Sequence, residues 1–338
     1  MKLLITGASG FIGSALVRLL CQRGRAGSEF FGFPTHTTVK ALVRHSDQRN
    51  LRRLDTPSVD EAITVGTAQI VNGDLTGDIS GLCEGVDWVI HLAGRTFVDH
   101  SIRSAEPFIA ANICGTFNLL EDARRHGVKK YIQVSTDEVY GSILTGSYVE
   151  SAPINPTNPY SASKAGGDAL AIAYAHTYGL NTLVTRTENN FGCLQNPQKV
   201  FPTFVRKFLA GHKLPVYGDG LHVRQWLWVE DHCHALLQLL AAETTPGEIF
   251  HIAGNQELTN LDLARKVLRV LTGIPDLEDI AGYVAFIPDH DIRPGHDRRY
   301  ALNCDKIQKA IGWRPQVDLD TGIRTAVEWY RANPWWLR

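Results

Sequence analysis

Two short segments bring together side chains that could act on a substrate. Ser135-Thr136-Asp137-Glu138-Val139-Tyr140-Gly141 sets a hydroxyl, a carboxylic acid and a second carboxyl side by side at the end of an apolar run. Tyr160-Ser161-Ala162-Ser163-Lys164 places a phenol and an ammonium four residues apart, on one face of a helix. A free phenol has a pKa of about 10, too high for a base at neutral pH, and a neighbouring cation favours the phenolate. Two adjacent carboxyls with different protonation states are the usual way to keep an acid and a base in one site. Thr136, Asp137, Glu138, Tyr160 and Lys164 are therefore the candidate catalytic set. They combine a phenolic base beside a cation with an acid and a base for eliminating water. An Asp-Glu pair alone reads as a solvated strand end; the hydroxyl before it and the Tyr/Lys pair after it decide otherwise.

These groups need a scaffold, and the first half of the chain supplies one. Apolar strands are expected at 2–6, 38–43, 69–72, 88–92, 130–135 and 181–185, with helices at 11–22, 107–126 and 161–178 between them. Alternating strands and helices predict an α/β fold: a Rossmann-type doubly wound parallel sheet with helices on both faces. Near-continuous apolar runs such as Leu3-Leu4-Ile5 and Trp88-Val89-Ile90 fit strands buried on both faces. Beyond about residue 190, proline-containing turns separate shorter elements. This predicts a smaller α/β substrate-binding lobe over 191–338, interleaved with a dinucleotide-binding domain over 1–190 to which parts of 220–255 return. The stretches 24–37 and 55–67 read as surface loops.

Thr6-Gly7-Ala8-Ser9-Gly10-Phe11-Ile12-Gly13 joins the first strand to the first helix. Its glycines allow a tight turn and close approach of backbone to a pyrophosphate, while the helix N-terminus offers N–H donors and a positive dipole end. The spacing is GxxGxxG, and its place between strand and helix carries the dinucleotide reading. Gly7, Gly10, Phe11, Ile12 and Gly13 are the expected pyrophosphate contacts. Asp74-Leu75 after the third strand suits the adenine, and Leu92-Ala93-Gly94 after the fourth suits a loop passing under the cofactor. The acid expected after the second strand is absent; that strand ends Leu42-Val43-Arg44-His45-Ser46-Asp47. Arg44 leaves NADP open beside NAD, as an acceptor of a 2′-phosphate or as a solvated charge, and Asp47 remains within reach of the ribose.

The bulk numbers exclude other classes. The 338 residues are 44% hydrophobic and 20% charged, with a formal net charge of -1, so nothing global argues for nucleic acid or an anionic membrane. No apolar run approaches a membrane span, and the one at the start stops at Thr6-Gly7. Six scattered cysteines without a CxxC pair read as reduced thiols, and the expected location is cytoplasmic.

With these residues in view, the chain resembles the extended short-chain dehydrogenase/reductases, and within them the dTDP-glucose 4,6-dehydratases. The resemblance covers nearly the whole chain. It runs through His91-Leu92-Ala93, Val98-Asp99-His100-Ser101, Asn112-Ile113-Cys114-Gly115-Thr116, the two catalytic segments and Asn189-Asn190-Phe191-Gly192. It continues with Arg224-Gln225-Trp226-Leu227-Trp228-Val229-Glu230-Asp231-His232 and Arg293-Pro294-Gly295-His296-Asp297-Arg298-Arg299-Tyr300. It implies an NAD-dependent hydro-lyase that converts a nucleotide-linked glucose to its 4-keto-6-deoxy form. Tyr160 would take the 4-hydroxyl proton, Thr136 would position that hydroxyl, Glu138 would take the C5 proton and Asp137 would protonate the departing 6-hydroxyl. The resemblance also implies nucleotide and diphosphate contacts from Asn190, Lys199, Tyr217, Arg224, Arg293 and His296. It implies a homodimer built on a four-helix bundle from the helices near 107–126 and 161–178. Alternatives of the same superfamily are another nucleotide-sugar dehydratase, a decarboxylase or a 4-epimerase; outside it stands a non-catalytic dinucleotide-binding regulator.

The chain departs from the family pattern around the sugar. It reads Gly94-Arg95-Thr96-Phe97 where Ala-Glu-Ser-His is common, Glu188 where a serine precedes the two asparagines, and Gln198 where a glutamate is common. Arg95 and Glu188 pair with each other, read a substituted sugar, or face elsewhere. Three other features read as structural: His232-Cys233-His234 lacks a third ligand nearby, so no metal is expected. Trp226, Trp228, Trp313, Trp329, Trp335 and Trp336 read as core or dimer surface rather than a stacking platform. Asn112 reads as a side chain bonding to backbone at a helix bend.

Overall fold

The computed structural model describes residues 1–22, 37–45, 48–288 and 296–338. Arg293, Asp47 and all but the last residue of the stretch 24–37 therefore lie outside the described residues.

Apolar runs with no polar face become strands buried on both sides. Within β1 (Lys2–Thr6), Leu3 and Ile5 pack into one core cluster and Leu4 into another, as the two-residue alternation of a strand requires. The strands that follow are β2 (Thr38–Val43), β3 (Ala68–Asn72), β4 (Trp88–His91), β5 (Lys130–Thr136), β6 (Thr182–Thr187), β7 (Asn189–Phe191), β8 (Leu214–Tyr217), β9 (Val223–Trp228) and β10 (Ile249–Ile252). A seven-stranded sheet has the order β10-β6-β5-β4-β1-β2-β3, every pair parallel. Helices Phe11–Cys21 and Val229–Ala241 pack on one face, Gly115–Arg125 and Pro159–Tyr178 on the other. This is the expected doubly wound α/β fold. The strand order reverses between β1 and β4, which opens a crevice above their carboxyl ends.

The remaining strands form two small sheets. β11 (Glu257–Thr259) runs antiparallel to β9, which pairs parallel with β7, and β12 (Val284–Ile287) pairs parallel with β8. They share a second core in which Phe191, Phe204, Trp226, Trp228, Tyr330 and Trp336 are buried. Trp313 joins the first core, and Trp335 alone of the six is exposed.

Two local expectations need correction. The stretch 55–67 is not a plain loop, since it contains the helix Pro57–Thr64. Extended Thr56 leads into it, and Pro57 starts it with a preset φ and no N–H to leave unpaired. Val59 and Ala62, three residues apart, bury its inner face. The single helix expected over 107–126 is instead three pieces: Glu106–Ile109, a π turn over Ala110–Cys114, and Gly115–Arg125. Asn112 explains the break. Its Oδ1 accepts the Arg95 N–H at 2.8 Å, and its Nδ2 donates to the Arg95 carbonyl at 3.1 Å and to Ser163 Oγ at 2.8 Å. A side chain strapped to another segment opens the turn that carries it.

Candidate active site

β5 delivers the first candidate segment. Thr136 is extended and caps the 3-10 turn Asp137–Tyr140, its Oγ1 accepting the Glu138 N–H at 3.3 Å and donating to Asp137 Oδ1 at 3.0 Å. Gly141 ends that turn at φ +76°, where a Cβ would meet the Asn155 carbonyl at 2.6 Å. Asp137 is only 6% exposed. Burial first, and the Glu138 carboxylate second, push its carboxyl up to about 7; the Thr136 hydroxyl and Arg224 act in the other direction. The chain thus sets an acid that holds its proton near neutrality beside a second carboxyl.

The helix Pro159–Tyr178 delivers the second segment. Asn158 and Ser161 cap it reciprocally and Pro159 opens it, which fixes Tyr160 and Lys164 in its first two turns. Tyr160 is 6% exposed, its N–H bound to Ser101 Oγ at 3.1 Å and its ring edge-on to Phe108. Burial holds the phenol above its ordinary value, Glu138 adds to this, and a hydrogen bond with Thr136 opposes it. Lys164 shares the helix face but gives its ammonium to the Val134 carbonyl at 2.7 Å. Burial weakens that ammonium's hold on its proton and Asp168 restores part of it.

Asp168 is a buried member of this group that sequence reasoning missed. It lies one turn beyond Lys164, paired with Arg186 at 3.0 Å, and Arg186 also donates to the Tyr140 hydroxyl at 2.6 Å. The signal was present as an extension of the same spacing, Tyr160, Lys164, Asp168.

The glycine loop lies at the switch point. Gly7 has φ +67°, and a Cβ there would meet Ala93 N at 2.7 Å; a Cβ on Gly13 would meet the Gly7 carbonyl at 2.3 Å. The helix Phe11–Cys21 starts from Gly10 with no side-chain cap and no acid in its first turn. Its first amides, Phe11 and Ile12 among them, are thus available to an anion. A cavity of about 140 Å³ is lined by Gly7, Gly10, Arg44, Asp74, Leu75 and Leu92–Arg95, with Ser9 and Asn50 among its other walls. Close backbone approach and uncapped amides fit a dinucleotide. Arg44 Nη1 lies 3.5 Å from Asp74 Oδ2, both side chains half exposed, so its charge meets a carboxylate at this wall of the cavity. Asp74 is held below the usual carboxylate range, first by the Thr76 N–H.

The lobe residues divide. Arg224 Nη2 donates to the Asp297 carbonyl at 2.9 Å and lies 3.4 Å from His296 Nε2, with its guanidinium over the Tyr300 ring. Arg224 and His296 are thus brought together, and Arg224 acts on Asp137. Lys199 reaches the Thr96 carbonyl at 3.3 Å and lies over the Phe97 ring. Tyr217 ends β8. The Asn190 amide is engaged by His232 Nδ1 at 3.0 Å, Thr187 Oγ1 and the Glu188 carbonyl. His232 is buried in the core, and among the described residues no three potential ligands gather around a metal position.

Arg95 and Glu188 do not meet. Arg95 is exposed at the rim of the glycine-loop cavity. Glu188 is buried against Gln225, its Oε1 sharing the Leu302 N–H with Gln225 Oε1 and its Oε2 without a partner. Burial, then Asp137, raise its carboxyl well above the usual range. The register explains the proximity: Thr136 of β5 pairs with Thr187 of β6, so Asp137 and Glu188 leave adjacent strands at one level.

A doubly wound sheet, a glycine loop at its switch point and a Tyr/Lys pair on the following helix define an extended short-chain dehydrogenase/reductase. Comparison with known proteins agrees: the family model described as GDP-mannose 4,6 dehydratase matches residues 4–326, and the chain belongs to that family. It is 44% identical to a dTDP-glucose 4,6-dehydratase of Actinoplanes sp., over 99% of this chain and all of that one. It is 35% identical to the Escherichia coli dTDP-glucose 4,6-dehydratase, over the whole of this chain and 96% of that one. Among solved structures, DesIV, a dTDP-glucose 4,6-dehydratase from Streptomyces venezuelae with NAD and TYD bound, superposes with a TM-score of 0.87 at 41% identity, covering 99% and 98% of the two chains.

Proposed function

We propose that this chain is an NAD-dependent dTDP-glucose 4,6-dehydratase, a hydro-lyase that forms the 4-keto-6-deoxy sugar nucleotide. The observation that carries the reading is Asp137, a buried carboxyl bonded by the Thr136 hydroxyl beside Glu138, with burial pushing it up to about 7, in the same cluster as Tyr160. A simple reductase or an epimerase needs the phenol and not the carboxyl pair. The full-length relatives at 35–44% identity support the same substrate.

Bound at the glycine loop, NAD supplies a reversible hydride store, and Gly7, Gly10, Phe11, Ile12 and Gly13 would hold its pyrophosphate. Asp74, Leu75 and Arg44 would line its adenosine end, and Leu92–Gly94 would pass beneath it. Tyr160 takes the proton of the sugar 4-hydroxyl, and Thr136 orients that hydroxyl. Lys164 contributes the nearby positive charge that a phenolate needs in so buried a site. Once C4 is a ketone its neighbour at C5 is acidic, and Glu138 removes that proton. Asp137 donates its own to the 6-hydroxyl, which leaves as water; the hydride removed from C4 would then return to C6 as Glu138 gives its proton back to C5. Arg224, His296, Lys199, Tyr217 and Arg293 serve the nucleotide diphosphate, for which arginine forks are suited. Asn190, Glu188 and Arg95 shape the walls around it.

Three finer readings accompany this one. The domain division falls at about residue 190, with parts of 220–255 returning to the first domain, a reading supported by β10 in the large sheet. The protein forms a homodimer through the helices flanking the π turn and Pro159–Tyr178, supported by the exposure of Ile109, Phe117 and Tyr178 at 42%, 46% and 54%. It works in the cytoplasm; no helix of the described residues is long and apolar enough to cross a membrane, and its six cysteines are free. The test is incubation with dTDP-, UDP- and CDP-glucose and UDP-N-acetylglucosamine without added cofactor, read by mass spectrometry. One sugar nucleotide lighter by a water supports the assignment and names the substrate. Unchanged substrates even with NAD supplied would refute it.

A further inference from the structure

Beneath the glycine loop lies a buried guanidinium that the reaction does not use. Arg53 follows the short helix Gln48–Leu51 and is 2% exposed. Its Nη1 donates to the Ser9 carbonyl at 3.0 Å and also bonds Asn50 Oδ1; its Nε donates to the Leu194 carbonyl at 2.9 Å. The guanidinium plane lies over Trp336 at 4.8 Å. Its own carbonyl accepts from Arg18 of the helix that the glycine loop opens, at 2.9 Å.

Each contact has a consequence. Ser9 sits inside the turn closed by the Gly10 N–H on the Gly7 carbonyl at 2.8 Å. A carbonyl and the next N–H are fixed in one peptide plane, so holding Ser9 O also fixes the direction of Gly10 N–H. That sets the turn from which the helix amides project. Leu194 has φ +63°, a conformation that a leucine adopts only when its surroundings impose it. Arg53 holds its carbonyl, while Tyr330 and Trp336 hold Gln195 on either side, at 3.0 and 2.7 Å. This strained segment links Asn190 to Lys199, on the sugar-nucleotide side of the crevice.

We propose that Arg53 is a positioning residue for the dinucleotide pyrophosphate, bracing the glycine loop against segment 192–195 so that the two are set together. Its buried positive charge also stands behind the loop that receives a diphosphate. A fork with separate donors can serve Ser9 and Leu194 while stacking on an indole; a lysine, with one nitrogen, cannot. The inference rests on the cofactor reading above and not on the identity of the sugar.

The test titrates the full chain, wild type and Arg53→Lys, with ADP-ribose and with adenosine by calorimetry. The dissociation constant for ADP-ribose is expected to rise about tenfold, as for loss of a charged contact, with adenosine changed by less than about twofold. Equal weakening of both ligands, or unchanged ADP-ribose binding, overturns the proposal. If Arg53→Lys does not fold, hydrogen exchange on the wild type decides: ADP-ribose is expected to slow the amides of 192–196, and unaltered exchange there overturns it. Neither measurement involves turnover, so a failed dehydration assay would leave this result readable.

Discussion

At the end of β1 the chain presents amides; at the end of β5, two strands away, it presents carboxyls and a hydroxyl. The first site is made by leaving side chains out, since Gly7 and Gly13 have no room for a Cβ. The second is made by burying side chains that water would otherwise stabilise, Asp137 and Tyr160 above all. The difference teaches where each is vulnerable. A backbone cradle is damaged by added bulk, whereas an acid–base cluster is damaged by loss of one proton-carrying atom with no change in shape.

The largest expected effects test the second half of that comparison. Glu138→Gln, almost isosteric, should abolish exchange of the C5 proton with deuterated solvent, and Tyr160→Phe should block reduction of the cofactor by substrate. Each should lower kcat by at least about 10³-fold, the scale of a lost general acid or base. A fully active Glu138→Gln enzyme would remove the carboxyl pair from the mechanism. Next, Gly13→Ala should break the cradle by steric bulk alone. Its Cβ would lie 2.3 Å from the Gly7 carbonyl, so the turn must open, and NAD affinity should fall about 100-fold, near 3 kcal/mol, in direct titration. Retained NAD affinity would show that the loop has slack the structure does not reveal.

A third prediction concerns pH. Asp137 must carry its proton to act, and its carboxyl is pushed up to about 7. For the free enzyme, kcat/KM should therefore fall on the alkaline side with a midpoint near 7. The same shift bears on stability with a definite sign. The folded state holds this proton more tightly than the unfolded chain, so its contribution is fully present in acid and is lost as pH rises through the folded pKa. Asp137→Asn should accordingly gain stability relative to wild type between about pH 4 and 7, the gain levelling off above. Urea denaturation at several pH values reads this, and a difference independent of pH would place the origin of the shift elsewhere. The smallest effect belongs to the cradle's rim. Arg44 and Asp74 are half exposed and 3.5 Å apart, a pair worth less than about 1 kcal/mol. Arg44→Ala should change NAD affinity by less than about fivefold; a larger change would make Arg44 a direct contact.

How far the two sites were legible follows from how each is built. The GxxGxxG spacing, the Tyr/Lys spacing and the Thr-Asp-Glu run are local patterns, and strand and helix periodicity placed each at the end of its element. Asn112 was legible as a side chain bonding to backbone at a bend, but the π turn at Ala110–Cys114 was not, because its partner is Arg95 of another segment. Nor was the helix at Pro57–Thr64, whose short polar sequence hid three buried positions. Glu188 was visible only as an odd residue; its partnerless Oε2 and its proximity to Asp137 come from the pairing of β6 on β5.

By itself, then, the sequence determined six strands of the large sheet and the helices that follow the glycine loop and carry Tyr160, the loop with no space for side chains, and which residues carry a proton. Those are matters of backbone propensity, spacing and functional group, all local along the chain. Only the tertiary structure decided that burial pushes the Asp137 carboxyl up to about 7, that Lys164 bonds to Val134 while Asp168 supports it, and that Arg53 lies under Ser9 beside Trp336. Burial and charge neighbours are set by segments distant in sequence, and no local pattern encodes the solvent that folding takes away.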